Sequence, residues 1–255
     1  MHDGRGHVPM HPRVGRPPAG LARRRPGTPT GPRGALTGRP RTATAAGDAD
    51  RSRTLVRVDG AESTLDTPGT AVLVPIKSFR TAKARLAPAL EPAARAELAR
   101  RMALTVIAAA SPLPVAVVCD DPDVARWAIA QGASVVSEPG RGLNGAVAAG
   151  VDHLRRTGAE RVIVCHADLP RATGLPALAD RDGITLVPDR RDDGTNVICL
   201  PTACEFRFSY GPGSFRRHHA EAERLGVPVH VVRQPELAWD VDVPADLLGD
   251  VARRR

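Results

Sequence analysis

From Ala71 onward, short apolar runs alternate with segments that have helical features, and this alternation constrains the fold more than any other feature of the sequence. The predicted strands are Ala71–Ile76, Val115–Cys119, Ser134–Ser137, Arg161–Cys165, Ile184–Val187, Asn196–Leu200 and Val229–Val232. The predicted helices are Glu91–Ala110, Asp123–Gln131, Asn144–Arg156, Ser214–Leu225 and Pro244–Val251. Such alternation predicts an α/β domain with a mostly parallel sheet and helices on both faces. Ligands of these sheets bind at the carboxyl ends of the strands.

The first part of the chain has a different composition. Residues 1–47 contain nine Arg, eight Pro, nine Gly, one acidic residue and no aromatic residue. A segment with so little apolar surface cannot offset its ordering entropy, so residues 1–69 are predicted to be a disordered tail and linker. A real flexible arm and a start codon assigned too far upstream would both explain this segment. The folded domain is predicted to be 70–255.

The net charge of +8 raises the possibility of a nucleic-acid partner. Residues 1–47 account for all of it, since residues 48–255 hold 27 basic and 27 acidic side chains. The predicted domain also has few aromatic residues and no pattern suited to base stacking. We therefore expect no nucleic-acid partner. The alternative hypothesis is a DNA-binding protein that uses the arginine-rich residues 1–47.

Other compositional features bear on location. The chain has no apolar run near the roughly 18 residues that a membrane span needs, and no secretory signal pattern. Its four cysteines lack CxxC spacing and are expected to be small buried side chains rather than metal or redox groups. We expect a cytoplasmic protein with no membrane partner.

Lysine usage marks the first candidate site. The chain has 34 Arg but only two Lys, Lys77 and Lys83, and both lie in the segment after the first strand. With Arg80 and Arg85 they place four cations within nine residues. A cationic loop that leaves a strand suits a polyanion such as a triphosphate, although a solvated basic loop would have the same composition.

Three aspartates mark a candidate metal site. Asp168 follows the strand Arg161–Cys165, and Asp240 and Asp242 lie in a later segment. Side chains at i and i+2 of an extended segment point to the same side, so Asp240 and Asp242 are expected to present two carboxylates together. With Asp168 they would suit Mg²⁺. Each aspartate taken alone would be an ordinary cap or turn residue.

Two glycine-containing segments form a third constellation. They are Gly194-Thr195-Asn196 and Gly211–Phe215. Ser214 is predicted to be the N-cap of the following helix, where free N–H groups favour a carboxylate or phosphate. Leu143-Asn144 opens another helix and would otherwise be an ordinary cap. His218 and His219 are assigned to the surface of the helix Ser214–Leu225.

The motifs occur in one order and resemble those of a known family. They are P-x-K-x(5)-K-x-R-L, L-N-x-A, A-D-L-P, G-T-N, Y-G-x-G-S-F and D-x-D-x-P-x-D-L, and they extend from Ala71 to Leu248. Together they resemble the 2-phospho-L-lactate / phosphoenolpyruvate guanylyltransferases of coenzyme F-420 biosynthesis. The resemblance implies a single-domain nucleotidyltransferase fold that is related to the GT-A glycosyltransferase fold. It also implies that GTP and a small phosphorylated acid give a diphosphate-linked guanosine adduct and pyrophosphate.

The resemblance also implies roles for individual residues. Mg²⁺ would be held by Asp168, Asp240 and Asp242. The acid would be bound by Thr195, Asn196, Gly211 and Ser214. The GTP phosphates would be held, and catalysis assisted, by Lys77, Lys83 and Arg85. The guanine or ribose would lie beside Leu143 and Asn144.

The identity of the phosphorylated acid is inferred from the family resemblance and from the base composition that the arginine bias indicates. Arginine bias indicates a GC-rich genome, and high-GC bacterial members of the family commonly use phosphoenolpyruvate, so the expected product is enolpyruvyl-2-diphospho-5'-guanosine. The alternative acceptor is 2-phospho-L-lactate, and a more distant alternative is a nucleotidyltransferase that acts on a sugar phosphate. The chain lacks the glycine-rich loop of the sugar branch after its first strand. The resemblance implies that a downstream deazaflavin transferase receives the product.

Overall fold

The computed structural model describes residues 69–138 and 140–251. The predicted tail, apart from its last residue, lies outside the described residues. The strands are β1 Thr70–Pro75, β2 Val115–Cys119, β3 Ser134–Ser137, β4 Arg161–Cys165, β5 Ile184–Pro188, β6 Thr195–Pro201 and β7 Val229–Val231. The helices are α1 Pro92–Ala109, α2 Pro122–Ala130, α3 Gly142–Arg156, α4 Ser214–Arg224, α5 Pro235–Ala238 and α6 Pro244–Val251.

Every predicted strand and helix is confirmed, with bounds that differ by at most two residues. Proline at the first helical position explains why the starts of several helices could be predicted from the sequence. Its fixed φ suits a helix, and its missing N–H costs nothing at that position. Helix α1 begins in this way at Pro92, directly after Glu91. The short helix α5 and two 3-10 segments, Ala84–Leu86 and Leu175–Asp180, were not predicted. They are too short to show a hydrophobic period.

The seven strands form one sheet in the order β3-β2-β1-β4-β6-β5-β7. Strand β6 is antiparallel to β4 and β5, and the other pairs are parallel, so the expected mostly parallel sheet is confirmed. The reversal matters for the site. Cys165, the last residue of β4, pairs with Val197 near the start of β6. The start of β6 therefore lies at the same edge as the carboxyl ends of β1, β4 and β5.

Both faces of the sheet are buried. Alternate residues of β1 point to opposite faces, with Val72 and Val74 in one core and Ala71 and Leu73 in the other. Each of these four side chains is at most 1% exposed. Burial of a side chain the size of valine or leucine stabilises the fold by about 1.5–3 kcal/mol. Two-sided burial explains why the strands are continuous apolar runs rather than alternating ones.

A small third core joins parts of the chain that are far apart in sequence. Leu86, which follows the cationic loop, packs with Met102 of α1 and Val241, and all three are buried. Val241 lies between Asp240 and Asp242. This contact holds the loop after β1 and the late aspartate segment against the same helix.

Candidate active site

A cleft of about 810 Å³ opens at the carboxyl edge of the sheet. Its volume is within the range of small-molecule sites, which commonly occupy this position in α/β folds. It is lined by residues from the loop after β1, the start of α3, the segment after β4 and the late aspartate segment. The predicted site residues among them are Lys77, Lys83, Arg85, Leu143, Asp168 and Asp242.

Lys83 joins two of the predicted metal ligands. Its Nζ atom lies 2.6 Å from Asp168 Oδ2 and 2.9 Å from Asp242 Oδ1. The side chain of Lys83 is 11% exposed. Burial alone would lower the lysine pKa, but the two carboxylates outweigh it and raise the pKa above the ordinary value. Lys83 is therefore a charged, buried bridge and not part of a solvated basic loop.

The backbone at Lys83 is unusual as well. Its φ of 54° and ψ of 42° place a non-glycine residue in the left-handed region. Such a conformation is costly for a residue with a side chain and is concentrated at functional sites. Here it directs the lysine from the start of a 3-10 turn into the cleft.

The other cations of the loop have separate positions. Lys77 and Arg85 are exposed and line the cleft. Arg80 instead forms an ion pair with Asp123 in the first turn of α2. The cationic loop thus presents two exposed charges, those of Lys77 and Arg85, to a ligand in the cleft, while Lys83 and Arg80 pair with aspartates.

Asp240 has a different partner from Asp242. Arg190 Nη1 lies 2.8 Å from the Asp240 carbonyl oxygen and 3.3 Å from its Oδ1. Burial, followed by the charges of Asp168 and Asp242, raises the pKa of Asp240 to about 6. The i, i+2 spacing predicted that the Asp240 and Asp242 carboxylates would face the same ligand. In this structure Asp240 pairs with Arg190 and Asp242 pairs with Lys83. The charge of Asp168 acts on Asp240, and Asp168 shares Lys83 with Asp242.

The residues fit a divalent cation. Asp168 Oδ1 is buried without a hydrogen-bond partner, and the Asp240 pKa is raised first by burial and then by the charges of Asp168 and Asp242. Within residues 69–138 and 140–251, no group of three or more His, Cys, Asp or Glu side chains has the arrangement of a metal site, so the three aspartates would have to move together to hold an ion. Lys83 Nζ lies between two of the three candidates. Asp168, Asp240 and Asp242 could hold Mg²⁺ because carboxylate oxygens are its preferred protein ligands.

Asp246 organises this cluster and was not singled out from the sequence. Its Oδ2 accepts hydrogen bonds from the backbone N–H groups of Asp242, at 2.8 Å, and Val243, at 2.9 Å. Its Oδ1 pairs with Arg190, whose guanidinium also lies over the Trp239 ring at 4.3 Å. The spacing D-x-P-x-D, with an acidic residue in the first turn of a helix, is the signal that could have revealed this capping role.

Leu143 and Asn144, the two residues expected to border the nucleoside, have side chains with different surroundings. The helix begins at Gly142, so Leu143 and Asn144 lie in its first turn. Leu143 is 43% exposed and lines the cleft. The Asn144 Oδ1 atom instead accepts a hydrogen bond of 2.7 Å from the backbone N–H of Tyr210. Asn144 therefore holds the segment before α4, and its side chain is not directed at a nucleoside.

The residues expected to bind the acid lie at the start of β6 and before α4, and none of them is among the residues that line the cleft. Ser214 is not the N-cap of α4: Gly213 has that position, with a φ of 71°, and Ser214 is the first helical residue. Only glycine adopts this conformation without strain. Asp193 Oδ1 accepts a hydrogen bond from Gly213 N–H at 3.0 Å, and Gly211 O accepts one from Ser214 N–H at 3.0 Å.

Thr195 and Asn196 are both buried. The Asn196 Nδ2 atom donates a hydrogen bond of 3.0 Å to the Leu237 carbonyl oxygen. The backbone carbonyl of Asn196 accepts one from His166 N–H, also at 3.0 Å. In this structure the Asn196 side chain positions α5, which leads to Asp240, and does not face the cleft.

The assignment of His218 to the helix surface was wrong. His218 is fully buried, whereas His219 beside it is half-buried and pairs with Glu223. The buried residues of α4 are Ser214, His218 and Ala222, at spacings of four. That spacing is the helical signal that could have placed His218 on the inner face.

The four cysteines are all free thiols, three of them buried and Cys204 half-buried. Their expected role as small buried side chains agrees with this, and burial raises the pKa of Cys119 and Cys199. In the described parts of the chain, no helix combines the length and apolar character needed to cross a bilayer.

The fold is similar to that of solved nucleotidyltransferases. A nucleotidyl transferase from Methanothermobacter thermautotrophicus superposes with a TM-score of 0.53 at 15% identity, over 73% of this chain and 99% of that one. A Desulfovibrio desulfuricans G20 structure, assigned as a nucleotide-diphospho-sugar transferase, gives a TM-score of 0.59 at 17% identity, over 70% and 84%. At these identities the likeness shows the fold.

Sequence comparison is more specific. The family described as "Guanylyl transferase CofC like" matches residues 70–251. Phosphoenolpyruvate guanylyltransferase of Sphaerobacter thermophilus is 39% identical over 188 residues, which cover 70% of this chain and 90% of that protein. The Conexibacter woesei protein of the same name is 37% identical over 191 residues, covering 70% and 85%. The chain belongs to the CofC-like guanylyltransferase family and is a nucleotidyltransferase.

The raised pKa of Asp240 leads to a stability prediction. A folded-state pKa of about 6, against an ordinary value of 3.8, means that ionisation of Asp240 opposes folding at pH 7. That cost is present above pH 6 and is lost as the pH falls towards 4. Asp240→Asn keeps an oxygen for Arg190 and removes the charge. We expect it to raise the free energy of unfolding of the metal-free protein at pH 7 by on the order of 2 kcal/mol.

Urea titration in EDTA at pH 7 and at pH 4.5 measures this difference. The advantage of the variant should shrink at the lower pH, where the wild-type carboxyl is protonated in the folded protein. Equal stabilities of the two proteins at pH 7 would show that Asp240 is not under electrostatic strain.

Proposed function

We propose that the protein transfers GMP from GTP to phosphoenolpyruvate, giving enolpyruvyl-2-diphospho-5'-guanosine and pyrophosphate. The observation that carries the transfer chemistry is the cleft itself, where the exposed cations Lys77 and Arg85 share one cavity with Asp168 and Asp242. The relatives named phosphoenolpyruvate guanylyltransferase support the acceptor. They match most of their own length at up to 39% identity.

The GTP triphosphate is proposed to lie along the loop after β1. Lys77 and Arg85 reach the cleft from solvent, and Lys83 reaches it from beneath. Cations on a loop that leaves a strand neutralise phosphate oxygens without a covalent role. The exposed Leu143 offers apolar surface at the opposite side of the cavity lining, where the guanine base is proposed to lie.

The phosphorylated acid is proposed to lie beside the nucleotide, against Thr195 and the loop that contains Gly211 and Ser214. The start of β6 and the carboxyl end of β4 are paired neighbours, so this site adjoins Asp168. The positive end of the α4 helix dipole favours an anionic group there. Asn196 supports this site through its bond to Leu237 and does not itself bind the acid.

Asp168, Asp240 and Asp242 are proposed to hold Mg²⁺. When bound, Mg²⁺ would supply charge neutralisation and polarisation of the donor phosphates. The proposal is supported by the unpartnered Asp168 Oδ1 atom and by the two carboxylates, Asp168 and Asp242, that meet at one lysine.

The acceptor phosphate needs no general base. Its second pKa is near 6, so its oxygen is already ionised at pH 7. That oxygen attacks the α-phosphorus of GTP in line, the bond from the α-phosphorus to its bridging oxygen breaks, and pyrophosphate leaves with the bonding electrons. Repulsion between two polyanions is the main barrier, and Lys77, Lys83 and Arg85 reduce it by pairing with the charge that develops on pyrophosphate.

We also propose the setting of the reaction. The product joins guanosine to an acid through a diphosphate, so a transferase that attacks the phosphorus bearing the acid and releases GMP would consume it. For members of this family, the enzyme that consumes the product is proposed to be the deazaflavin transferase of coenzyme F-420 biosynthesis. A cytoplasmic location is supported by the four free thiols, since oxidising compartments favour disulfides.

A pyrophosphate-release assay tests the function. GTP, ATP, CTP and UTP are each combined with phosphoenolpyruvate, 2-phospho-L-lactate, 3-phosphoglycerate and a sugar 1-phosphate, with Mg²⁺ or with EDTA. We expect turnover with GTP and phosphoenolpyruvate and loss of at least about 100-fold in EDTA. Higher turnover with 2-phospho-L-lactate than with phosphoenolpyruvate would show that 2-phospho-L-lactate is the acceptor. Higher turnover with the sugar phosphate would overturn the proposed function.

A further inference from the structure

We propose that His218 is a positioning residue that joins Thr195 to the loop before α4 and so sets the shape of the acceptor site. The inference rests on the proposed function, in which Thr195, Gly211 and Ser214 bind the phosphorylated acid. His218 lies on the inner face of α4 and is fully buried. Its two ring nitrogens contact two different parts of that site.

The hydrogen bonds determine the tautomer. Ser209 N–H lies 2.9 Å from His218 Nε2, and a backbone N–H can only donate, so Nε2 accepts. Burial, followed by the charge of Arg217, lowers the pKa of His218 to about 4, so the ring is neutral at pH 7. A neutral ring that accepts at Nε2 carries its proton on Nδ1. That proton is donated to Thr195 Oγ1, at 3.0 Å.

The direction of the Thr195 hydroxyl follows from this tautomer. Because Oγ1 accepts from His218, its own hydrogen remains available for another acceptor atom. Thr195 makes no other side-chain hydrogen bond with the described residues, so no other protein acceptor among them takes up this hydrogen. A neutral His218 thus keeps Thr195 as a donor, which is the role that an anionic acceptor requires.

The second nitrogen acts on the loop. Ser209 begins the segment that leads to Gly211 and Ser214, and its N–H is held by His218. Arg217, the preceding residue of α4, binds the Ser209 carbonyl oxygen at 2.8 Å and the Pro212 carbonyl oxygen at 2.6 Å. The loop is therefore fixed to α4 at two adjacent residues, one buried and one exposed.

Aromatic packing holds the imidazole in place. The Tyr210 ring lies edge-on to the His218 ring at 4.8 Å, and the Phe206 ring lies 5.7 Å away. Tyr210 also packs on His166, which is two residues before Asp168. The imidazole thus has little rotational freedom, as a residue that sets the direction of another group must.

Two substitutions separate the two hydrogen bonds. His218→Gln can place an oxygen near Nε2 and keep the Ser209 contact, but it loses the donor to Thr195. His218→Asn can place an amide N–H near Nδ1 and keep the Thr195 contact, but it loses the Ser209 acceptor. His219→Gln is the matched control, because His219 is the next residue on the same helix and contacts Glu223 and the Phe215 ring rather than Thr195 or Ser209.

Steady-state kinetics with GTP and phosphoenolpyruvate provide the first measurement. We expect His218→Gln to raise the KM for phosphoenolpyruvate about tenfold, the usual cost of one lost hydrogen bond, with the KM for GTP unchanged within twofold. Thr195→Val should have a similar effect, Thr195→Ser should restore most of the affinity, and the double variant should be no worse than Thr195→Val alone. Circular dichroism confirms that each variant is folded.

The result that would overturn the proposal is a His218 variant that is folded and has an unchanged KM for phosphoenolpyruvate. Equal increases in both KM values, or additive effects of His218→Gln and Thr195→Val, would also overturn it, because a merely structural histidine would behave in this way.

A second measurement separates this inference from the proposed function. Nitrogen-15 imidazole shifts of the wild-type protein at pH 7, without any substrate, report the tautomer directly. The Nδ1–H form is expected. An Nε2–H or doubly protonated ring would overturn the positioning role even if the enzyme uses phosphoenolpyruvate. Absence of turnover with phosphoenolpyruvate in the wild-type protein would overturn the proposed function instead.

Discussion

Replacing Asp168 with asparagine is expected to lower kcat by about three orders of magnitude, while the protein remains folded. Asp168 has the central position among the three carboxylates: it pairs with Lys83 through Oδ2, and its Oδ1 is buried without a partner. Asparagine keeps the shape of the side chain but removes the negative charge that the proposed Mg²⁺ site needs. Loss of one preorganised electrostatic group at a phosphoryl centre has effects of this size.

Pyrophosphate release at saturating GTP and phosphoenolpyruvate measures this loss, and circular dichroism with thermal unfolding monitors the fold. Asp152→Asn is the control, because Asp152 is a half-exposed aspartate of α3 that pairs with Arg155 and Arg156, away from the cleft. Unchanged kcat in Asp168→Asn would remove Asp168 from the proposed metal site.

Replacing Lys83 with methionine is expected to have two separate effects. Lys83 bridges Asp168 and Asp242 in the protein without ligands, so its loss leaves the aspartates without their cation. We expect the metal-free variant to lose on the order of 2 kcal/mol of stability, because breaking a largely buried ion pair leaves an uncompensated charge. Mg²⁺ should restore most of this loss, since the metal replaces the missing charge.

The second effect concerns GTP. If Lys83 also binds the triphosphate, the KM for GTP should rise at least about tenfold. Lys77→Met is the comparison, because Lys77 is the only other lysine in the chain and lies exposed in the same cleft. It should raise the KM for GTP without changing how stability depends on Mg²⁺. Equal Mg²⁺ dependence of stability in wild type and Lys83→Met would contradict the bridging role.

The order of strands and helices could be read from the sequence because each depends on local chemistry. Burial on both faces makes the strands of a parallel sheet apolar throughout, and proline marks the starts of α1 and α2. The cleft residues Lys77, Lys83 and Asp168 could also be predicted, since Lys77 and Asp168 closely follow strands that end at the same edge of the sheet and Lys83 lies in the loop after the first of these strands. The family comparison agrees with this reading.

The predictions that were wrong or incomplete concern side-chain partners. Ser214 was expected to cap α4, but Gly213 occupies that position because the chain enters the helix in a left-handed conformation. His218 was expected at the surface, yet it is buried between Thr195 and Ser209. Both errors depend on how the start of β6 meets the loop before α4, and this contact joins residues that are distant in sequence.

What the sequence by itself determined is the class of fold, the contrast between the arginine-rich residues 1–47 and the neutral remainder 48–255, and several residues that line the cleft at one edge of the sheet. Those properties follow from local periodicity and composition. Only the tertiary structure decided which charge pairs with which: Lys83 lies between Asp168 and Asp242, while Arg190 holds Asp240. Lys83 and Asp168 are 85 residues apart and Arg190 and Asp240 are 50 residues apart, so no local pattern encodes these pairings.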